Sequence, residues 1–448
     1  MTDLLAIGAS GLRAYQTALT TSSENVANAG VSGYSRRTTN LTEISAPGSS
    51  LLGGRLVNGL GVAATGITRA ADEFRASEVR SATTDLAKTQ SGIVWLDSIE
   101  RALTGNRLGD SLTRFFGASE NLAADPASQA ARVVFLDSAS GIAGGFVATD
   151  RALATAAIEL DATAAQSTRD LNGTASSLAQ VNSGLARVSP GTSGHAALLD
   201  QRDRLLENLA EQTDIDVAID EYGRASVRLN GATGPILVED DNAGQLRYER
   251  SGGATAFTLY RNATASIVTP TGGILAGVAE GAIRIDEART GLDALATQFV
   301  NDVNAVQAAG EGLDGNPGAP MFAIGPGGAG EVSVLLTDPS GVAAAQPGGG
   351  ARDNRNLQAI AALRDSSQIE GRVNSLILGN ASALEARKSV SAAQTVIRDQ
   401  AVTQRDSVTG VNLDEEAVDL LRFQQAYQAS SRVIQVARET LQTIFDIG

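Results

Sequence analysis

A seven-residue repeat of apolar side chains at each end of the chain constrains the fold more than any other feature. Near the N-terminus the repeated side chains are Leu5, Leu12, Leu19 and Val26. Near the C-terminus they are Leu413, Leu420, Tyr427, Ile434 and Leu441, and Phe423 and Ile444 each follow one of these by three residues. A repeat of this period keeps one stripe of a helix against a partner helix. Each end is therefore predicted to be a long helix whose natural partner is the helix at the other end.

The boundaries of both helices are visible in the sequence. At about 1.5 Å per residue, residues 2–29 would form a helix of roughly 40 Å. The stretch "NAGVSGYSRR" that follows supplies Asn and Gly residues that end helices. The C-terminal helix begins with Asp414, Glu415 and Glu416, whose carboxylates suit the positive end of a helix dipole.

The interface between two such helices is thin. Small residues separate the large ones in the first helix, and Gly11 weakens its interior. The few large apolar side chains bury too little surface to offset the ordering of so long a backbone. The pair is therefore predicted to be weakly ordered in a free chain and ordered when copies pack side by side. This pattern indicates an assembly device, with the eleven repeat residues as its predicted interface.

Between the two ends, most of the chain has helical spacing. Residues 72–103 and 111–186 show it, and Asp125-Pro126 is predicted to open a new helix with Pro in its first turn. The stretch "SGHAALLDQRDRLLENLAEQT" is a further predicted helix, with Ser193 as a plausible N-cap. Helical spacing resumes over 275–309 and again from Leu357 to the end, separated by loops rich in Gly and Pro.

Two segments lack helical spacing and have the residue pattern of strands. Residues 56–69 alternate and are rich in Gly, which predicts a short strand or bent connector, and residues 214–271 form short β-branched segments separated by Gly and Asn-Gly. The predicted fold is thus mainly α with a β-rich insertion. Its predicted domains are a terminal coiled-coil domain (1–40 with 411–448), a helical-bundle body (41–213 with 272–410) and a small β-rich domain (214–271).

Composition excludes several classes of function. The chain of 448 residues has no cysteine, so disulfides, thiolate chemistry and cysteine-based zinc sites are excluded. Its net charge of −15 argues against a nucleic-acid partner, which requires a basic face. No basic start followed by an apolar run marks a cleaved signal peptide. No run approaches the roughly 20 apolar residues of a membrane span.

No catalytic, cofactor-binding or metal site is predicted. The two lysines, Lys88 and Lys388, follow Ala and Arg rather than Gly, so a Walker A loop is absent. The single histidine, His195, begins a helical segment and is interpreted as a surface or capping residue. Glu239 and Asp240 could serve a glycosidase or bind Ca²⁺, but a solvated loop between strands is the usual reason for such a pair.

Several stretches resemble a known family. The stretches "NVANAGVSGYSRR" and "NGLGVAATGITRAADEF" resemble the N-terminal signature of bacterial flagellar axial proteins. The stretch "SVTGVNLDEEAVDLLRFQQAYQASSRVIQVARETLQTIFD" resembles the C-terminus of the flagellar hook-associated protein 1 family. The helix "LLDQRDRLLENLAEQTDIDVAI" resembles an internal helix of the same family. Two departures are Gln307, where a His is often found, and "AGVSGY", which lacks the common Thr-Pro.

The resemblance implies a structural role in the flagellum. Members join hook to filament as the first of two junction proteins and have an outer β domain. They leave the cell through the flagellar type III apparatus without a cleaved signal and form a ring of copies in the flagellar axis. The implied partners are further copies, the hook protein, the second junction protein (hook-associated protein 3) and an export chaperone at the C-terminal helix. A flagellar hook or rod protein is the alternative, which should lack the QRD helix and the Leu-Asp-Glu-Glu run. A secreted glycosidase is a distant third.

Overall fold

The structure is a computed structural model that describes residues 2–44, 61–251 and 254–447. Nine α-helices occupy most of these residues. They are α1 (Thr2–Asn28), α2 (Glu73–Gly105), α3 (Leu108–Ala124), α4 (Gln129–Leu185), α5 (Ser193–Gln212), α6 (Gly273–Ala308), α7 (Arg355–Ser367), α8 (Ile369–Thr409) and α9 (Leu413–Ile447).

The described strands form four small antiparallel sheets. They are β1 (Arg37–Glu43), β2 (Val62–Arg69), β3 (Ile215–Ile219), β4 (Ala225–Leu229), β5 (Ile236–Glu239), β6 (Asn242–Ala243), β7 (Gln245–Ser251), β8 (Ala254–Arg261), β9 (Thr264–Val268), β10 (Phe322–Ile324) and β11 (Val332–Val334). The sheet orders are β1-β2, β3-β4-β5-β6, β7-β8-β9 and β10-β11. A chain that is mainly helical with one β-rich insertion confirms the predicted fold class.

The largest core lies between α2, α3, α4, α6 and the start of α8. Its centre is a group of phenylalanines in edge-on and tilted contact. Phe115 lies 5.5 Å from Phe299 and 4.9 Å from Phe135 between ring centroids, and Phe322 lies 5.3 Å from Phe299. Aromatic pairs of this geometry add to the free energy of burial. These rings join three helices and the loop strand β10 into one body.

The β-rich insertion shares its core with the helices that flank it. Val227 of β4 is buried with Leu229, Leu246 and Phe257 in one cluster that also contains Leu171 of α4. Further helical members of this cluster are Ala175, Leu178, Ala179, Leu206, Leu209 and Leu275. The strands of residues 215–268 therefore pack on α4, α5 and α6 rather than around a core of their own.

The long helix α4 is the one described helix that is long and apolar enough to cross a membrane by length and composition. The expectation that no stretch approaches a membrane span was therefore too broad. The inward face of α4 lies in the helical core through Phe135, Phe146 and Leu160, all fully buried. Helices buried in a core meet the same test of length and hydropathy.

Two local predictions were wrong, and one strand was not predicted. The strand is β1, which pairs with β2 over seven residues with one bulge after Asn40. Pro126 does not open a helix, because α4 begins at Gln129 with Ser128 as its N-cap. The N-cap of α5 is Thr192 and not Ser193, since the Thr192 hydroxyl accepts from the backbone N–H of His195. Residues 56–60 of the predicted connector lie outside the described residues, and β2 occupies 62–69.

Candidate assembly interface

Helices α1 and α9 pack along each other through a stripe of small residues. Ala14 and Ala18 of α1 are 1% exposed, and Gly8 and Gly11 are buried beside them. A Cβ placed on Gly8 would lie 2.6 Å from Ile434 Cγ1, so the two backbones approach as closely as the glycine allows. Small residues at a helix crossing permit this close approach, as they do in membrane helix pairs.

A second flank of α1 is covered by the antiparallel pair β1-β2. The Thr39 hydroxyl donates to the Thr21 hydroxyl at 2.9 Å, and the Val62 N–H donates to Ser10 Oγ at 3.2 Å. Helix α1 therefore has neighbours on two sides. Among the described elements, α9 has α1 as its one substantial packing partner.

Some of the predicted interface residues are half-buried in the structure, and others are exposed to solvent. The half-buried ones are Leu5, Leu12, Leu19, Leu420, Phe423, Ile434 and Leu441. Exposed are Val26, Leu413 and Tyr427, at 40%, 54% and 37%. The side chain of Ile444 lies outside the described residues. The deepest contact is thus made by small residues, and Ile434 packs on Gly8 within one chain.

The side of α9 that faces away from α1 carries a second apolar stripe, made of two exposed pairs with Arg422, Gln425 and Arg432 between them, which sequence reasoning missed. Val418 and Val436 are 65% and 59% exposed, and about five helical turns separate them, so they point the same way. Leu421 and Val433 lie beside this line and are also exposed. Helix α8 also carries exposed apolar side chains, which are Leu378, Val390, Val396, Ile397 and Val408. No described part of the chain covers these side chains.

A buried carboxylate ties the N-terminal segment to the start of α9. Glu416 is 2% exposed and accepts from the Ser22 hydroxyl at 2.6 Å and from Arg36 Nε at 2.7 Å. The guanidinium of Arg36 also pairs with Glu415 at 3.2 Å and with Asp419 at 3.4 Å. The hydrogen bond to Glu416 raises the pKa of Arg36 above its ordinary value. Arg36 therefore stays charged and holds three carboxylates of the first turns of α9.

A second set of contacts ties the same segment to the body. Asn25 of α1 accepts from the backbone N–H of Arg37 at 3.0 Å and donates to the carbonyl of Arg37 at 2.8 Å. Arg37 Nη2 lies 3.0 Å from Asp200 of α5, and Arg69 Nε lies 2.6 Å from the other oxygen of that carboxylate. Tyr34 donates to Asn25 at 2.9 Å, and burial raises the pKa of its hydroxyl to about 12, although Arg37 acts in the opposite direction.

These polar residues were not predicted as site residues, yet most lie in stretches that resemble the flagellar family. Asn25, Tyr34 and Arg36 belong to "NVANAGVSGYSRR", Asp200 precedes "QRDR", and Glu416 belongs to "LDEE". The signal that could have found them was the density of charged and amide side chains in three motifs remote in sequence. We call this set, completed by Ser22, Arg37 and Arg69, the polar hub.

The structure gives no support for a catalytic pair. Glu239 pairs with Arg261 at 2.8 Å, and Asp240 pairs with Arg224 at 2.8 Å, so each carboxylate has its own cation. Among the residues that the structure describes, no three His, Asp or Glu side chains are grouped as metal ligands would be.

Comparison with known proteins agrees with this arrangement. The C-terminal model of flagellar basal body rod FlgEFG proteins matches residues 404–447, which comprise α9 and the end of α8. A model of the helical domain of the flagellar hook-associated protein FlgK matches residues 96–322, more than half of the chain. Terminal helices of this type, on a separate helical body, define a structural component of the bacterial flagellum. More specifically, the chain belongs to the flagellar hook-associated protein FlgK family.

Similar proteins cover nearly the whole chain, and a similar solved structure covers about three quarters of it. Flagellar hook-associated protein 1 of Escherichia coli (strain K12) is 26% identical, with 100% of both chains covered. The protein of the same name from Bacillus subtilis (strain 168) is 25% identical, with 97% of this chain and 96% of the relative covered. The solved structure of the flagellar hook junction protein FlgK from Burkholderia pseudomallei superposes with a TM-score of 0.66 at 15% identity. The superposition covers 74% of this chain and 100% of the other. At that identity the structural likeness shows the fold.

Proposed function

We propose that this chain is the first junction protein between the flagellar hook and filament, where copies pack in the axis through their terminal helices. The observation that carries this proposal is the second apolar stripe of α9. A chain that leaves Val418, Leu421, Val433 and Val436 exposed along one helix has a surface suited to burial against another chain. The relatives named hook-associated protein 1 and the solved hook junction protein support the same location.

The eleven residues of the sequence repeat keep a role in this proposal. Three exposed repeat residues are available to neighbouring copies, namely Val26, Leu413 and Tyr427. Three half-buried ones, Leu420, Phe423 and Ile434, lie in the contact between α9 and α1. Leu5, Leu12, Leu19 and Leu441 flank the same pair, and we include Ile444 from the repeat alone. The paired helices would thus act as one unit, with α1 holding α9 in place and α9 meeting the next copy.

The proposed partners follow from position in the flagellum. They are further copies in a ring, the hook protein on one side and the second junction protein on the other. Before export, a cytoplasmic chaperone would cover the apolar side chains of α9, since an exposed stripe of this length invites aggregation. The protein would then be secreted by type III export to the hook-filament junction. A role as a hook or rod protein is less well supported, because the FlgK domain model matches the body.

We further propose that the chain has no catalytic activity. Membership of a structural flagellar family favours this. The separate ion pairs of Glu239 and Asp240 also disfavour the general acid and base pair that a glycosidase needs.

The proposal is tested by placing charged side chains in the second apolar stripe of α9. A chain carrying Val418→Asp and Val436→Asp should melt as the parent does, because both positions are exposed in the free chain. Burying unpaired carboxylates in an interface costs several kcal/mol, so cells with this variant should shed flagellin and lose motility. Gln424→Asp, on an exposed polar side of the same helix, is the matched control and should support swimming. Motile cells with the double variant, and the protein detected by immunogold away from the junction, would each contradict the proposal.

A further inference from the structure

A groove with a strand edge along one wall lies where the helical body meets the β-rich region. It has a volume of about 540 Å³, within the range of ordinary ligand sites. One wall is α2 from Glu73 to Asp85, and the other is the beginning of β3 with Asp214. Thr271 and Gly272 complete the lining. Helix α2 makes no substantial packing contact with β3, so the two walls stand apart.

The main-chain groups of β3 on this side have no hydrogen-bond partner in the described part of the chain. Strand β3 is at the edge of its sheet, and in an antiparallel pair every second residue bonds to the neighbouring strand. The N–H of Asn230 donates to the carbonyl of Asp214, so the even-numbered residues of β3 bond to β4. Ile215 and Val217 therefore turn their N–H and C=O groups away from β4, towards the groove that both residues line.

The usual devices that protect a free strand edge are missing from β3. Proteins commonly block such edges with proline, lysine or a bulge. Strand β3 reads Ile-Asp-Val-Ala-Ile and pairs with β4 in continuous register, so it has none of the three. An unprotected edge allows an extended peptide to add as a further strand, and the main-chain hydrogen bonds then provide affinity.

The lining of the groove is acidic. Its one cation among the described residues is Arg80, which is 7% exposed and pairs with Glu73 at 2.5 Å. Asp85, Asp214 and Asp216 also line the groove and form no salt bridge within the described part of the chain. The groove therefore attracts a basic segment and repels an acidic one. Because this chain has a net charge of −15, a basic segment of a different protein is favoured over a second copy.

The groove has room for a short peptide along β3. Four consecutive residues, 214–217, line it on this side. A peptide of about five residues, roughly 17 Å long when extended, covers this edge. Phe74 of α2, 67% exposed, also lines the groove and offers an apolar surface to one of the peptide side chains.

We propose that the groove between α2 and β3 binds an extended, basic segment of another protein, which adds to the sheet as a strand beside β3. Ile215 and Val217 bond to the main chain of this segment, and Asp85, Asp214 and Asp216 supply the negative charge that selects its Lys or Arg side chains. The site goes beyond the proposed function, because the terminal helices take no part in it. Binding is measured on the free chain, so the result does not depend on assembly at the junction.

The site is tested with defined peptides and the full-length chain. The probe is a fluorescent pentapeptide, Val-Arg-Val-Arg-Val with blocked ends, and its binding is followed by fluorescence anisotropy. A peptide with Glu in place of Arg should bind at least about tenfold more weakly, because the lining is acidic. A fully N-methylated Val-Arg peptide should lose affinity to the same extent, because it has no N–H to donate to β3. Equal affinity for the three peptides, or no binding of the probe up to about 1 mM, would overturn the inference.

Changes in the protein test the strand edge directly. Val217→Pro removes one N–H that faces the groove, and proline is tolerated on an edge strand. This variant should keep the parent melting temperature and bind the probe at least about tenfold more weakly. Val217→Thr retains the N–H and the branched shape, so it is the matched control and should bind as the parent does. Parent affinity in a folded Val217→Pro chain would contradict strand addition, and the N-methylated peptide gives the same test without altering the protein.

The acidic lining has its own test. Asp85→Asn combined with Asp216→Asn should weaken binding of the probe and reduce its dependence on salt concentration, because fewer charges attract the peptide. Asp241→Asn removes one charge at an exposed position outside the groove and should change neither property. An unchanged salt dependence in the double variant would contradict the selection of basic peptides.

Discussion

At the residue scale, the buried carboxylate of Glu416 is the most demanding feature of the terminal helices. It is stabilised by the Ser22 hydroxyl and by Arg36, and Arg36 also holds two further carboxylates. Removing one partner of a buried ion pair costs about 3–5 kcal/mol, because the remaining charge is left without compensation. The polar hub therefore ties the start of α9 to α1 and to the segment that follows α1.

Arg36→Gln should loosen the start of α9. We expect hydrogen exchange in its first turns to accelerate by about tenfold or more, since Glu416 keeps only its contact with Ser22 and a neutral amide. Arg422→Gln is the control, because Arg422 is exposed and pairs with Asp419 across the surface. Exposed pairs contribute about 0–1 kcal/mol. Equal exchange in the two variants would refute the role of Arg36.

Tyr34 should make the hub sensitive to alkaline pH. In the folded chain its hydroxyl has a pKa of about 12, raised by burial from an ordinary value of 10.0. The folded state therefore favours the protonated phenol, and this contribution is fully present below pH 10 and lost as the pH rises to about 12. Burial also raises the pKa of Tyr248, so titration of tyrosinate absorbance should show both tyrosines ionising late. Tyr34→Phe should remove one of these late groups, and an unchanged late amplitude in that variant would contradict the assignment.

At the element scale, periodicity predicted the two terminal helices well, and the assembly contacts of their repeat residues remain a prediction. The ends of α1 and α9 agree with the predicted helices to within a residue or two, because Gly and Asn end the first and acidic residues begin the second. The two backbones, however, approach most closely at Gly8 and Gly11, which lie against Ile434 and Ser430. Large side chains dominate a seven-residue pattern, whereas close approach of two backbones depends on small ones. The exposed stripe of α9 was missed for a related reason, since the sequence does not tell which face meets the partner.

Gly8→Leu should separate α1 from α9. The new side chain would enter space occupied by Ile434 and by the backbone of Ser430, so one helix must move. Overpacking of this kind typically costs about 1–3 kcal/mol. Hydrogen exchange should rise in both terminal helices and remain unchanged in α4. Ala6→Leu, at an exposed position of the same helix, should leave exchange unaltered, and protection retained in Gly8→Leu would contradict the close packing.

At the scale of the whole molecule, the order of helical and β-rich segments could be predicted from the sequence, but not the way they pack. The strands of residues 215–268 were foreseen from alternation and Asn-Gly turns. These strands share a core with Leu171 of α4 and Leu206 of α5. The contact joins residues that are remote in sequence, so no local sequence pattern could predict it. Helix α4 similarly looks apolar enough for a membrane until its neighbours are known. The boundaries predicted for the β-rich region, residues 214–271, therefore divide the chain by sequence. The core of this region nevertheless includes residues of the flanking helices.

We expect the outward face of α9 to be free in the single chain and buried in the flagellum. The thiol reactivity of Val436→Cys measures this burial, since the parent chain contains no cysteine. Ile267→Cys serves as the control, at a side chain 83% exposed in the β-rich region, which is expected to lie outermost. A maleimide should label both variants rapidly as free proteins. In isolated flagella, labelling at position 436 should fall by at least about tenfold while labelling at position 267 persists. Equal labelling of position 436 in the free and assembled protein would contradict the account.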